Sequence, residues 1–104
     1  MTDRELLELA AKAAGMDYLI WTPGAAPCVL REHRIGDRIC WNPLADDGDA
    51  LRLAVRCAQM FGFYRFLRAW LIAMATEQGD VSDPYAATRR AIVRAAAEIG
   101  RSKT

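Results

Sequence analysis

Apolar and polar residues alternate with a helical period over most of this chain. Near the start, apolar residues recur every three or four positions over residues 2–14, which is the spacing of an amphipathic helix. Thr2 and Glu5 form a capping box at its beginning, and Gly15 provides a left-handed residue to end it. The inward positions of this first predicted helix are Leu6, Leu9, Ala10 and Ala13.

Two further helices are predicted to begin at acidic capping residues. Asp46 opens the segment 46–61, and Asp83 precedes the segment 84–100, because carboxylates satisfy the free N–H groups of a first turn. We expect Gly100 to end the last helix. The inward stripe is predicted as Leu51, Ala54, Val55, Ala58 and Phe61 in the first of these helices, and as Thr88, Ile92, Ala95, Ala96 and Ile99 in the second.

The segment 63–75 is rich in aromatic residues. Its large apolar residues fall at helical spacing, and Arg65 and Arg68 would lie on opposite faces of a strand, so the pattern favours a helix after a break at Gly62. Its rings belong to the aromatic-rich stretch 61–70. A small core needs most of these rings, so we expect burial; a partner-binding surface and a membrane-surface helix are the alternatives. Exposure of two or more rings would indicate self-association. The stripe comprises Phe63, Phe66, Leu67, Trp70, Leu71 and Met74.

Short β-strands are predicted between the first two helices. Residues 16–21 form one strand in this interpretation, and residues 28–41 form a hairpin with its turn at Gly36-Asp37. Trp41 closes the hairpin directly before the acidic cap of the second helix. We therefore predict that its ring is buried between the sheet and that helix, as a structural joint.

The cysteines and the single histidine indicate no metal or catalytic site. Cys28, Cys40 and Cys57 are odd in number and widely spaced, which is typical of reduced thiols in a cytoplasmic protein. Cys28, His33 and Cys40 match no standard zinc module, so no cofactor is expected. The predicted turn pairs His33 with Cys40, so Cys28 and Cys40 are not expected to form a disulfide. A Cys–His pair without an oxyanion hole or a third member does not predict an enzyme.

Two strings in the sequence are similar to a known family. Residues 41–56 (WNPLADDGDALRLAVR) and 83–100 (DPYAATRRAIVRAAAEIG) resemble the phage ABA sandwich domain, which occurs in small proteins of phages and prophages. The resemblance implies an α/β/α-type sandwich with strands between these two helices, and it implies no catalytic residues. We therefore predict a single α+β domain over residues 1–104, in which a small antiparallel sheet packs with three main helices. The segment 63–75 stays open between helix and strand.

Charge is unevenly distributed along the chain. Residues 1–50 carry five basic and nine acidic groups, whereas residues 51–104 carry nine basic and four acidic groups. The asymmetry indicates either two halves that complement each other in the fold or arginine faces that track nucleic-acid phosphates. The candidate interaction residues on the second and last helices are Arg90, Arg94, Arg101, Arg52 and Arg56.

The absence of catalytic motifs, together with the resemblance, favours a small phage or prophage accessory protein that is not an enzyme. It would act by protein–protein contact in the cytoplasm of the bacterial host, for example by modulating a host protein. Its partner would be a host or phage protein, or a second copy in a homo-oligomer. A nucleic-acid-binding protein that uses the arginine faces is the alternative. No apolar run reaches membrane-spanning length, so no membrane partner is expected.

Overall fold

Four helices pack directly against one another to form the core. The computed structural model describes residues 2–16, 19, 21, 27–30, 38–76 and 83–102. The helices are α1 (Asp3–Ala13), α2 (Asp47–Phe61), α3 (Phe63–Thr76) and α4 (Pro84–Ser102). The largest interface joins α1 to α4, α3 packs on α4, and α2 packs on both α3 and α4. In the part of the chain that the structure describes, the fold is therefore a compact four-helix, all-α core with no β-layer.

The predicted α+β sandwich is therefore wrong. Within the described ranges, extended pairing is limited to the antiparallel strands β1 (Cys28–Leu30) and β2 (Arg38–Cys40). A ribbon of three residue pairs is too small to form a layer, and the helices bury their apolar faces on each other instead. Met16, Leu19 and Trp21, which are the described residues of the predicted first strand, lie in no strand.

The hairpin register also differs from the prediction. Cys40 pairs with Cys28 and not with His33, and the predicted turn at Gly36-Asp37 lies outside the described residues. The Trp41 N–H donates a hydrogen bond of 2.8 Å to the carbonyl oxygen of Pro27, which directly precedes β1. This bond extends the observed register by one residue. Burial of the Trp41 ring in the core is confirmed. The observed partners are Cys28 with Cys40, Val29 with Ile39, and Leu30 with Arg38.

Helix boundaries predicted from capping residues are confirmed at four places. The side chains of Thr2, Asp46 and Asp83 each accept a hydrogen bond from the backbone N–H three residues later, at 3.2, 2.7 and 3.1 Å. Gly15 follows α1 with a φ of +79°, which is the left-handed conformation typical of a residue after a helix. Gly62, with a φ of +95°, separates α2 from a helical segment 63–76, so the period predicted this element correctly.

Gly100 does not end the last helix as predicted. It lies inside α4, which continues to Ser102, and a Cβ atom at this position would collide with the carbonyl oxygen of Leu9 in α1. The glycine therefore allows the two helix backbones to approach closely. Small residues dominate the buried positions of both helices, which include Ala10, Ala11 and Ala13 in α1 and Ala91, Ala95, Ala96 and Ala97 in α4.

Candidate functional site

Helix α3 is rich in apolar residues but contributes few of them to the core. Arg65 and Arg68 are the only charged residues among its 14. A helix that is apolar on nearly all sides is normally enclosed by protein or lipid. Only Phe66 and Ala73 of α3 are buried, however. Most of the apolar surface of this helix therefore faces outward.

The expected burial is wrong for half of the α3 stripe, since three of its six residues are exposed and only Phe66 is buried. Phe63 is 62% exposed and Leu71 is 61% exposed, whereas Leu67 and Trp70 are half-buried. Phe66 belongs to the core, and Ala69 and Trp70 pack against it, whereas the apolar positions on the outer side of the helix are uncovered. Tyr64 is 84% exposed. Phe63 and Tyr64 are therefore two exposed aromatic rings, which is the condition for predicting self-association from the sequence.

The inward face of α2 is also rotated from the predicted one. Leu51 and Val55, predicted to point inward, are 64% and 50% exposed. The sequence of α2 contains two adjacent apolar stripes, and the core covers only one of them. The second stripe lies beside the exposed side of α3. The buried residues of α2 are Ala50, Leu53, Ala54 and Cys57.

The exposed stripes of α2 and α3 together form an apolar groove of about 390 Å³. Leu51 and Val55 line it from α2, and Phe63 and Leu67 line it from α3. Gln59 is the single polar side chain among the described residues that line it. We define the α2–α3 face by the six apolar residues that line the groove or project beside it, namely Leu51, Val55, Phe63, Tyr64, Leu67 and Leu71.

The chemistry of the groove is that of a contact surface. None of the described side chains that line it is charged or nucleophilic, so it can cover apolar surface but offers no acid or base. The buried indole Nε1 of Trp70, at its wall, has no hydrogen-bond partner in the described part of the chain. A lone buried donor costs about 1–3 kcal/mol. Within the described ranges, no three His, Cys, Asp or Glu residues gather as metal ligands.

The predicted arginine residues of α2 take part in contacts within the chain. Arg52 lies 2.7 Å from the Asp49 carboxylate and 3.8 Å from that of Asp46. The Nε of Arg56 donates a hydrogen bond of 3.1 Å to the Ala14 carbonyl oxygen, where α1 ends. Arg56 is therefore placed where the dipole of α1 favours a cation, whereas Arg52 pairs with carboxylates of the first turn of α2.

The predicted arginine residues of α4 are likewise placed against neighbouring groups. Arg90 lies 3.0 Å from Asp3 of α1, and Arg101 lies 3.7 Å from Glu98. Arg94 lines a second cavity of about 600 Å³ between α1, α3 and α4, together with Glu98 and Arg101. At least four of the five arginines therefore contact a carboxylate or a carbonyl oxygen of this chain, and Arg94 and Arg101 line the same cavity.

Tyr64 was not predicted as a surface residue, and Leu51 and Val55 were predicted to point into the core. One signal was present: α3 combines high apolar content with no acidic residue, which exceeds what one face of a small core requires. Periodicity identifies which residues share a face. It does not identify which of two adjacent apolar faces the core covers.

Comparison with protein-family models, with curated proteins and with solved structures gives no match to this chain. In the described residues, no helix is long and apolar enough to cross a membrane. The sandwich implied by the resemblance of residues 41–56 and 83–100 to the phage ABA sandwich domain is not the observed fold. The geometry of the α2–α3 face is therefore the basis for interpreting the site.

Proposed function

We propose that this protein acts by binding another polypeptide through the α2–α3 face. The observation that supports this proposal is the exposure of large apolar residues on α3, a helix with few charged side chains. Soluble monomers rarely leave contiguous apolar patches larger than a few hundred Å² uncovered, and larger patches mark interaction sites. The uncharged groove beside these residues suits recognition of an apolar helix or ridge.

The proposed biological role is that of a small accessory protein that works by contact and not by catalysis. The setting proposed for it is the cytoplasm of a bacterium, with a host or phage protein as partner. The phage origin is supported by the resemblance of residues 41–56 and 83–100 alone. The binding role is supported independently by the α2–α3 face, so it does not depend on that origin.

Photo-cross-linking in bacterial cells tests the proposal directly. A benzophenone amino acid is placed at position 64 in one variant and at position 85 in another. Both positions hold exposed tyrosines, but Tyr85 lies on α4, outside the α2–α3 face. We expect discrete protein adducts from position 64 and not from position 85, because only the first position lies at the proposed interface.

Nuclease treatment before electrophoresis separates this outcome from nucleic-acid binding, since protein adducts survive it. Adducts of equal intensity from both positions, or no adduct from position 64, would contradict the proposal. An adduct at twice the 11.6-kDa chain mass identifies a second copy, whereas other masses identify a different protein.

A further inference from the structure

The α2–α3 face supports a more specific inference, which rests on the proposed function. The geometry points to a second copy of this chain as the occupant of the face, in a two-fold symmetric dimer. Three properties of the face carry this inference: its area, its distribution of charge and its shape.

The area of the face is that of a small dimer interface. Four of its residues, Leu51, Phe63, Tyr64 and Leu71, are each more than 60% exposed. With their neighbours they present on the order of 600 Å² of apolar side-chain surface, close to the roughly 800 Å² per partner of a standard interface. One copy can therefore bury enough area on another to form a stable dimer.

The charge distribution suits a symmetric contact. In a two-fold interface, residues near the axis face their own copies, so a central charge would repel itself. None of the six residues of the face is charged. Arg65, one of the two charged residues of α3, is directed toward α4, where its guanidinium lies 3.5 Å from the Ser102 hydroxyl. Arg68, the other charged residue of α3, is exposed and lies one helical turn from both Tyr64 and Leu71, so a two-fold contact must leave it at the rim, in reach of water. The groove residues nearest the axis then oppose no like charges.

The face combines a concave part with a convex part, as a self-complementary two-fold interface requires. It contains a groove between α2 and α3, and beside that groove Tyr64 and Leu71 project from α3. A two-fold operation places the ridge of each copy over the groove of the other, so both are filled in one contact. The aromatic content of the face and its lack of charge match the core of homodimer interfaces, whereas transient interfaces are more polar.

A matched pair of substitutions on α3 tests the dimer. Leu71 and Ile72 are adjacent and equally exposed, at 61% each. Leu71 belongs to the face, whereas Ile72 lines the cavity between α1, α3 and α4. We expect the wild-type chain to sediment as a dimer at micromolar concentrations in analytical ultracentrifugation. Leu71→Glu should raise the dissociation constant by about 30-fold or more, because the charge would be desolvated at the interface. Ile72→Glu should leave the constant within about threefold of wild type.

Phe63→Glu provides a second, independent disruption at the other end of α3. Both disrupted residues are mainly solvent-exposed in the monomer, so circular dichroism should show an unchanged helical content in each variant. A wild-type chain that stays monomeric at about 100 µM would overturn the dimer. So would Ile72→Glu dissociating the dimer as strongly as Leu71→Glu, or a dimer that survives both Leu71→Glu and Phe63→Glu.

Failure of the dimer is distinguishable from failure of the proposed function. A monomeric chain that still cross-links to other proteins from position 64 keeps the proposed function and removes the second copy as partner. A chain that gives neither a dimer nor an adduct from position 64 removes both.

Discussion

Two helix pairs in this protein use apolar residues in opposite ways. The pair α1 and α4 buries small residues, and the close approach at Gly100 and Leu9 leaves no room for even one more carbon atom. The pair α2 and α3 carries larger apolar residues, such as Leu51 and Phe63, and leaves them exposed around a groove. Side-chain size therefore determines how closely two helices pack. Small residues allow the helix backbones to approach, whereas large residues keep them apart and leave a groove between them.

The open pair is nevertheless held firmly in place. Arg56 of α2 donates a hydrogen bond to the end of α1, and Arg89 of α4 donates one of 3.0 Å to the Leu44 carbonyl oxygen before α2. Arg89 also lies 2.7 Å from the Asp47 carboxylate in the first turn of α2. These contacts fix α2 relative to both helices of the closed pair. The groove is therefore preformed, which lowers the entropic cost of binding.

The largest expected effect separates core rings from face rings. Trp41 is buried in the core, so Trp41→Ala should lower the free energy of unfolding by about 3–5 kcal/mol. Tyr64→Ala is the control, because its ring is mostly in solvent, and it should change stability by less than about 0.5 kcal/mol. Urea denaturation of dilute protein measures both. Equal losses in the two variants would break the distinction between core and face.

A smaller effect tests the close approach of α1 and α4. Gly100→Ala places a methyl group against the Leu9 carbonyl oxygen, which should destabilise the fold by about 1–3 kcal/mol. Gly48→Ala in α2 is the matched control, since its Cβ would lie 3.1 Å from the capping Asp46 Oδ2 and 3.2 Å from Arg52, side-chain atoms that need to shift only by a few tenths of an ångström. It should be neutral or stabilise by up to about 1 kcal/mol. Thermal melts of both variants provide the measurement, and a neutral Gly100→Ala would show that the interface is loose.

The smallest effect concerns the contacts that hold α2. Arg89→Met should destabilise by about 1–2 kcal/mol, because the side chain is mostly buried and serves both the Leu44 carbonyl and Asp47. Arg52→Met, which removes a mainly exposed cation, should change stability by less than about 0.5 kcal/mol. Urea titrations at the same ionic strength would measure the free energy of unfolding of the two variants. Equal effects would indicate that α2 is held by packing alone.

The sequence allowed good prediction where structure is decided locally. The caps at Thr2, Asp46 and Asp83 depend on hydrogen bonds within a few residues, and all three were predicted. The apolar period favoured the helix after Gly62, although the segment 63–75 was left open between helix and strand. Gly100 was misread because a glycine serves equally as a helix end and as a site of close packing, and only the neighbouring helix distinguishes the two.

The candidate site was less predictable because it, too, depends on how neighbouring helices pack. Phe63 and Leu71 have the spacing of a core stripe, and their exposure depends on how many helices surround α3. The predicted sheet failed because a strand needs a partner of sufficient length, and the described pairing extends over three residue pairs only. The excess of apolar residues in the sequence therefore indicated an exposed apolar surface, but it did not indicate which residues form that surface.

The contact between Leu9 and Gly100 also determines the order in which the chain can fold. These residues are separated by about ninety positions, so the largest interface of the protein is also its most non-local one and closes at a high entropic cost. Helices α2 and α3 are joined by Gly62 alone and can pack as soon as both have formed. We therefore expect the local contact between α2 and α3 to form before the contact between α1 and α4 closes.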